Sequence, residues 1–472
     1  MLPADNGLHR LFEPRSVALV GITVSEPQHW TRTFLDALLA SGFERPIYLV
    51  NPKGGEIKGL KVYPSLTDVP DSVDYVIGTV PARVAPSLLR QCAAKGARCV
   101  HFCTAGFSET GEKQGSDLEA ELLQAIRETG VRVLGPNCMG IYCPKSRMSF
   151  DADFPQEVGP VSFLSQSGGN VNNLVRQVKW RGVRFNKAVS YGNACDLDES
   201  DFLQYFATDP DTRIISMYIE GVKDGGRFLK AVKSVPREKP MILLKGGVTQ
   251  GGSRAAAGHT GALAGSRATW DSLCRQMGII SVRSLDEMAD VLVTLQFMRP
   301  STGRNVGLIG IGGGSSVLIA DAFEAQGFSV PSLPEDIRGA IRGFTPAAGN
   351  ILRNPIDYGQ GIGGPEDLIR TVRLVAGWDR IHFVVGFLRL GLSPPSQTRP
   401  LLQMTEGFIE ASRLISKPMA IVTEFIVSPR IKEEVFPVVE RCVEARLPVY
   451  YSFRAAAKAI GRCMDWGPRE TP

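Results

Sequence analysis

Short apolar runs alternate with longer mixed stretches along most of the chain. VALVGI (17–22) is followed by HWTRTFLDALLASGF, where apolar residues recur at helical spacing, and then by the run IYLVNP. VDYVIGTVP, ARCVHFC and VRVLGP continue the series, separated by ARVAPSLLRQCAAKG and DLEAELLQAIRETG. A run too short for a helix, followed by a helical period, predicts a strand feeding a helix. Repetition of that unit predicts a parallel, doubly wound sheet whose ligands sit beyond the carboxyl ends of the strands.

The same grammar recurs twice. FNKAVSYGN, RIISMYIEG and MILLKGG read as strands, with helices in DESDFLQYFATD and DGGRFLKAVKSV. Beyond a linker at MRPSTGRN (298–305), NPIDYG, IHFVVGFL, MAIVTEFI and PVYYS read as strands, PRIKEEVFPVVERCVEA as a helix, and GRCMDWGPRETP as a frayed tail. At 472 residues and roughly 150 residues per domain, three domains are expected: 1–148, 155–298 and 304–465. Three segments open alike, with a strand, a turn of small residues and a helix: SVALVGITVSE (16–26), PVSFLSQSGGNVNNLV (160–175) and NVGLIGIGGGSSVLIADAF (305–323). That arrangement aims backbone N–H groups at an anion. Gly246 to Arg267 has no strong period of either kind and is expected as a long loop, which in a compact domain is more often functional than not.

Composition narrows the chemistry. The 53 basic and 48 acidic residues leave a net charge of +5, with no Lys/Arg-rich run and no aromatic-basic interleaving. Nucleic acid is therefore not expected as the ligand, and a mild positive excess suits anionic small molecules. No apolar stretch is long enough to span a bilayer, and the opening MLPADNGLHRLFEPRS lacks the apolar core of a signal peptide. Nine cysteines without CxxC spacing and five histidines without HxxxH or HExxH pairing predict a reducing cytoplasm, free thiols and no metal site. Cys99 and Cys103 are expected to pack in the core.

Three stretches could carry chemistry. After the first strand, GITVSEPQ lacks the second and third glycines of GxGxxG, and the second strand ends in Asn51-Pro52-Lys53 with no acidic residue for a ribose hydroxyl. That weighs against NAD(P) and towards a nucleotide with extra phosphate, such as coenzyme A. In SQSGG (165–169) the serines either cap a helix or, with the paired glycines, cradle a phosphate; GIGGGSS (310–316) has the same two readings. His259, in GGSRAAAGHTGALAGS (251–266), is either a loop histidine bonded to a carbonyl or a nucleophile that carries a phosphoryl group. Its small neighbours Gly258, Gly261, Ala262 and Gly265 admit a bulky phosphate and let the segment change shape. A histidine nucleophile needs a group to orient its second nitrogen, and Glu220, at the end of RIISMYIEG, stands where strand-end functional residues collect.

GHTGALAGS resembles the histidine loop of the nucleoside-diphosphate-forming acyl-CoA synthetases, the superfamily that includes the succinyl-CoA synthetase α subunit. SVALVGI, IYLVNPK, VIGTVPA, AGFSETG, LGPNCMGI, FLSQSGG, VSYGNACDLDESD, YIEGVKDG, LLKGG and NPIDYG follow in the family's order, so the resemblance spans nearly the whole chain. It implies an α/β architecture: an N-terminal Rossmann-like CoA-binding domain and two flavodoxin-like doubly wound domains. It implies that His259 takes a phosphoryl group from an acyl phosphate, steadied by Glu220. Ser165, Gln166, Ser167, Gly168, Gly258 and Thr260 would surround the phosphate. Gly21, Thr23, Asn51, Lys53, Val80 and Pro81 would line the coenzyme A site, with Pro136 and Asn137 near the thiol end. The family's ATP-grasp unit, with its Mg²⁺ ligands, has no counterpart in the three segments. The resemblance therefore implies a separate ATP-grasp β subunit holding ATP/ADP and Mg²⁺, a hetero-oligomer, and ADP-forming ligation of a small carboxylic acid to coenzyme A. The alternatives are a non-catalytic CoA- or acyl-CoA-binding scaffold, and an acyltransferase that uses no nucleotide. The sequence does not name the acid.

Overall fold

The computed structural model describes residues 8–260, 266–310, 313–345, 349–359, 364–390, 398–425 and 431–466. Among them three sheets form, of seven, six and six strands. In the first, β1 (Val17–Val20) is the pivot, and all four of its residues are buried. It pairs in parallel with β2 (Ile47–Val50) on one side and with β5 (Tyr75–Gly78) on the other. β3 (Gly55–Ile57) and β4 (Leu60–Tyr63) extend the first edge, and β6 (Cys99–Phe102) and β7 (Arg132–Leu134) the second, in the order β3-β4-β2-β1-β5-β6-β7. The chain thus leaves β1 in both directions, and the reversal opens a crevice beyond its carboxyl end. Cys99 is buried in this sheet, and Cys103, just past β6, is partly buried.

The second sheet runs β13-β12-β11-β9-β10-β8, from β8 (Gly140–Tyr142), β9 (Val161–Ser165), β10 (Phe185–Ser190), β11 (Ile214–Ile219), β12 (Met241–Lys245) and β13 (Ile280–Val282). It is parallel except at β8, which runs antiparallel to β10. The passage from sheet one to sheet two therefore falls within the segment 1–148. The third sheet has the order β15-β16-β14-β17-β18-β19, with β14 (Val306–Gly310), β15 (Asn350–Leu352), β16 (Ile356–Tyr358), β17 (Phe383–Leu390), β18 (Met419–Phe425) and β19 (Val449–Tyr450). The first two sheets lie in one compact unit and the third in another, the division passing at residues 180–183 and 285–286.

Two expectations need correction. Residues 246–267 are not one long loop: Gln250–Thr260 is a helix. Thr249 caps it, its hydroxyl accepting from Gly252 N at 3.1 Å, and Arg254, Ala255 and Ala256 are strong helix formers. No apolar stripe marks it, because so many of its residues are glycine or alanine, and periodicity alone cannot register such a helix. It packs on the turn Ser108–Thr110. The tail is also more ordered than expected: the helix Phe453–Asp465 takes in the tail's first five residues, GRCMD. Its apolar face is buried, and that packing supplies the stability a terminal helix lacks by itself. No helix among the described residues is long and apolar enough to cross a membrane.

Candidate active site

The carboxyl ends of β9, β11 and β12 meet at one place. β9 ends in Ser165, whose hydroxyl donates to Ser167 O at 2.8 Å and accepts from Ser167 N at 3.1 Å. This closed turn leads into the helix Gly168–Lys179. Ser167 caps it through Asn170 N, 3.3 Å away. The first amides of a helix have no intrahelical acceptor, so those of Gly168 and Gly169 are donors at the positive end of the helix dipole. Gly169 is exposed. A Cβ at Gly168 would stand 2.4 Å from Met139 Cγ, so only glycine fits there without displacing a neighbour. The capping and phosphate-cradle readings of SQSGG are compatible: the serine hydroxyls shape the turn, and the glycine amides remain as donors.

Glu220 follows β11 directly and is 6% exposed. Tyr218, two residues earlier and so on the same strand face, donates from Oη to Glu220 Oε1 at 3.0 Å. Burial raises the Tyr218 hydroxyl above its ordinary range, and the neighbouring Glu220 charge adds to this. Lys245, the last residue of β12, donates to Glu220 O at 2.7 Å and to Gly246 O. Its ammonium stands 5.4 Å from the centre of the Trp270 ring. Burial pushes its pKa down to about 8, opposed by the charge of Glu220. A Cβ on Gly246 would lie 2.6 Å from Tyr218 Oη and 3.2 Å from Glu220 Cγ. The chain thus grazes Glu220 before entering the helix Gln250–Thr260, whose last turn holds Gly258, His259 and Thr260. The side chains of those three lie outside the described residues.

Gln166 turns its side chain towards the end of β11. Its Oε1 accepts from Glu220 N and from Gly221 N, the latter at 3.0 Å, and its own N–H donates to Tyr218 O at 3.2 Å.

The second cluster lies at the reversal point of sheet one. Gly21 directly follows β1 at φ +95°, and a Cβ there would sit 2.9 Å from Thr79 C. Thr23 N donates to Thr31 Oγ1 at 3.1 Å, and Thr23 O accepts from the Arg32 guanidinium at 2.9 Å. Asn51 joins the turns after β1 and β2: Nδ2 donates to Ile22 O at 2.9 Å, and Oδ1 accepts from Lys53 N at 2.9 Å. Lys53 is exposed. Val80 O accepts from Thr104 Oγ1 at 2.6 Å, and Pro81 leads into the turn Ala82–Val84. A cradle that excludes a β-carbon, with an exposed ammonium at its rim, fits a phosphorylated ligand such as coenzyme A.

Pro136 and Asn137 connect the two clusters. Pro136 O accepts from Asn193 N at 3.0 Å, and a Cβ on Gly192 would fall 2.3 Å from that same oxygen. Asn137, at φ +57°, donates from its amide to Thr104 O at 2.8 Å. Tyr191 N, in the same loop as Gly192 and Asn193, donates to Ser165 O at 3.0 Å. Glu109 completes the connection: its carboxylate accepts from Gly106 N at 2.6 Å, Phe107 N at 3.1 Å and Asn193 Nδ2 at 2.6 Å. It belongs to the turn on which the helix Gln250–Thr260 packs. Sequence reading missed Tyr218, Lys245, Asn193 and Glu109 as individual residues. Strand alternation back from Glu220 would have found Tyr218. Nothing local marks Asn193 or Glu109, which matter through contacts distant in sequence.

Comparison with known proteins places each of the three segments in a known domain family. Residues 15–144 match a CoA binding domain, 158–295 a succinyl-CoA ligase like flavodoxin domain, and 306–447 a ligase-CoA domain. The chain is 36% identical over 357 residues to subunit alpha of the ADP-forming acetate–CoA ligase I of Pyrococcus furiosus, covering 74% of this chain and 76% of that one. It is 32% identical over 433 residues to subunit alpha of ligase II from the same organism, covering 90% and 92%. With the ADP-forming acetate–CoA ligase I of Archaeoglobus fulgidus it shares 35% identity over 384 residues, 81% of this chain but 55% of that protein. The solved structure of a dinucleotide-forming acetyl-coenzyme A synthetase 1 from Ca. Korarchaeum cryptofilum, in complex with phosphate and ADP, superposes with a TM-score of 0.82 at 29% identity, covering 97% and 96% of the two chains.

Proposed function

We propose that this chain, which belongs to the nucleoside-diphosphate-forming acyl-CoA synthetase superfamily, is the α-type subunit of an ADP-forming acid–thiol ligase. The reaction would be carboxylic acid + CoA + ATP = acyl-CoA + ADP + phosphate. One observation carries the reading: a helix N-terminus, a buried carboxylate and the strand that leads to His259 converge at the ends of β9, β11 and β12. A free carboxylate is a poor electrophile with no good leaving group, and forming a thioester from it is uphill, so the acid must first be activated as an acyl phosphate. A phosphorylated histidine divides transfer between two distant nucleophiles into two local steps.

In the acyl-CoA-consuming direction, phosphate oxygen attacks the thioester carbonyl and CoA leaves as thiolate, giving the acyl phosphate. The His259 imidazole then attacks phosphorus. The P–O bond to the acyl group breaks, and the carboxylate departs. The amides of Gly168 and Gly169 would hold the phosphoryl oxygens without reorganising as charge develops. Ser165 and Ser167 shape that turn, and Gly258 and Thr260 flank the histidine. Glu220 would fix the ring through its second nitrogen. Gly21, Thr23, Asn51, Lys53, Val80 and Pro81 would hold coenzyme A, with its thiol reaching towards Pro136 and Asn137.

A separate ATP-grasp subunit would supply the ATP/ADP and Mg²⁺ site. Two relatives named as alpha subunits support this, as does the fact that the chain spans 55% of the longer Archaeoglobus relative. The relatives are named as ligases and do not favour a non-catalytic scaffold.

The test needs no nucleotide. The chain, alone and with an ATP-grasp subunit, is incubated with a series of acyl-CoA thioesters and radiolabelled phosphate. Acid-labile, base-stable label at His259 and stoichiometric free CoA are expected, and both should be absent from His259→Ala. Label elsewhere, or CoA release that survives the substitution, would overturn the proposal.

A further inference from the structure

We infer that Gln166 is a positioning residue for Glu220 rather than a ligand of the transferred phosphate. The inference rests on the ligase reading above and assigns one of its residues a different task.

The ladder between β9 and β11 accounts for the need. β9 pairs with β11 as far as Ser165 opposite Tyr218, and the chain then turns away into the helix Gly168–Lys179. Beyond that point the amides of Glu220 and Gly221 have no facing strand of β9 to accept them. Glu220 is buried there, and a buried amide left without an acceptor loses its hydration with nothing in return. The Gln166 side chain takes over where the backbone ladder stops: one oxygen accepts both N–H groups, and the Gln166 backbone N–H holds Tyr218 O. The residue is 4% exposed. Two consecutive amides aimed at one point would otherwise make an anion-attracting nest beside the phosphate turn. The Gln166 oxygen fills that nest, which leaves the Gly168 and Gly169 amides as the anion site. Gln166 and Lys245 hold the backbone at Glu220 from two sides, and Tyr218 holds Oε1, so the direction of the carboxylate is set by these three residues.

A positioning role and a ligand role predict opposite orders for two substitutions. Gln166→Glu keeps the acceptor oxygen but replaces the amide NH₂ with a charged oxygen. Gln166→Met keeps the length and removes the acceptor. Label incorporation at His259 from acyl-CoA and phosphate is followed against phosphate concentration for both variants and the parent. If Gln166 positions Glu220, Gln166→Met slows labelling at saturating phosphate by about tenfold or more with the phosphate KM within about twofold, and Gln166→Glu restores most of the rate. If it binds phosphate, Gln166→Glu is the worse variant and raises the phosphate KM by repulsion, which overturns the inference. Should Gln166→Met fail to fold, by its melting profile, Gln166→Glu decides alone: a phosphate KM near the parent's supports positioning, and a raised one refutes it. Absence of label in the parent protein is a different failure, of the ligase reading itself, and the inference falls with it.

Discussion

Replacing Glu199 with glutamine should stabilise the protein at pH 8 and leave it unchanged below pH 4.5. Glu199 opens the helix Glu199–Thr208 and is 2% exposed. Burial raises its pKa from 4.5 to about 8, the Asp198 charge adds to the rise, and Lys223 and Arg227 oppose it. In the unfolded chain the carboxyl ionises near its ordinary value, while the folded state keeps the proton until about pH 8. Between those values the folded state binds more protons than the unfolded one, so the group's contribution to stability falls as pH rises. At about 1.4 kcal/mol per pKa unit, a rise from 4.5 to about 8 sets a ceiling of roughly 4–5 kcal/mol. Relaxation around the charge and the favourable helix N-terminus reduce the expected gain to about 2–3 kcal/mol. Glutamine matches the neutral acid in shape and never ionises. Thermal melts of both proteins from pH 4 to 9 are the assay. The variant's melting temperature should draw ahead progressively above pH 4.5, by about 3–5 °C at pH 8 for a unit of this size. A difference independent of pH, or a less stable glutamine protein at pH 8, would refute the reasoning.

Other perturbations separate structural from catalytic roles. Lys187 and Asp209 form a pair at 2.8 Å with exposures of 2% and 8%. Lys187→Met leaves the buried carboxylate without its cation, held by Asn186, Thr212 and Asp211 N, and should lower stability by about 3–5 kcal/mol in urea unfolding, of which adding Asp209→Asn should recover part. Gly192→Ala places a methyl 2.3 Å from Pro136 O at φ +53°. It should cost about 2–3 kcal/mol and, with Pro136 at the proposed thiol end of the site, weaken coenzyme A binding in calorimetry.

Much of the candidate site was legible in the chain, and particular residues show why the rest was not. SQSGG, Gly21 and Asn51-Pro52-Lys53 announce themselves because a strand, a turn and a helix start are coded by adjacent residues. Glu220 was found by its place at a strand end. Gln166 was assigned by its neighbours to the phosphate, yet its oxygen faces amides 54 and 55 residues away in sequence. The helix Gln250–Thr260 escaped notice because glycine and alanine carry no periodicity, although Thr249 gave the local cue of a cap. β8 could not be placed either, since three apolar residues fit either sheet and only the free edge of β10 decides between them.

By itself, the sequence determined the strand–helix alternation, the turns of small residues that open the helices, and the histidine segment, all of which depend on residues a few positions apart. Tertiary structure alone decided where Gln166 points, why Glu199 holds its proton and how Asn193 joins two sheets. Those outcomes depend on which surfaces exclude water together, and burial is a property of the assembled chain rather than of any stretch of it.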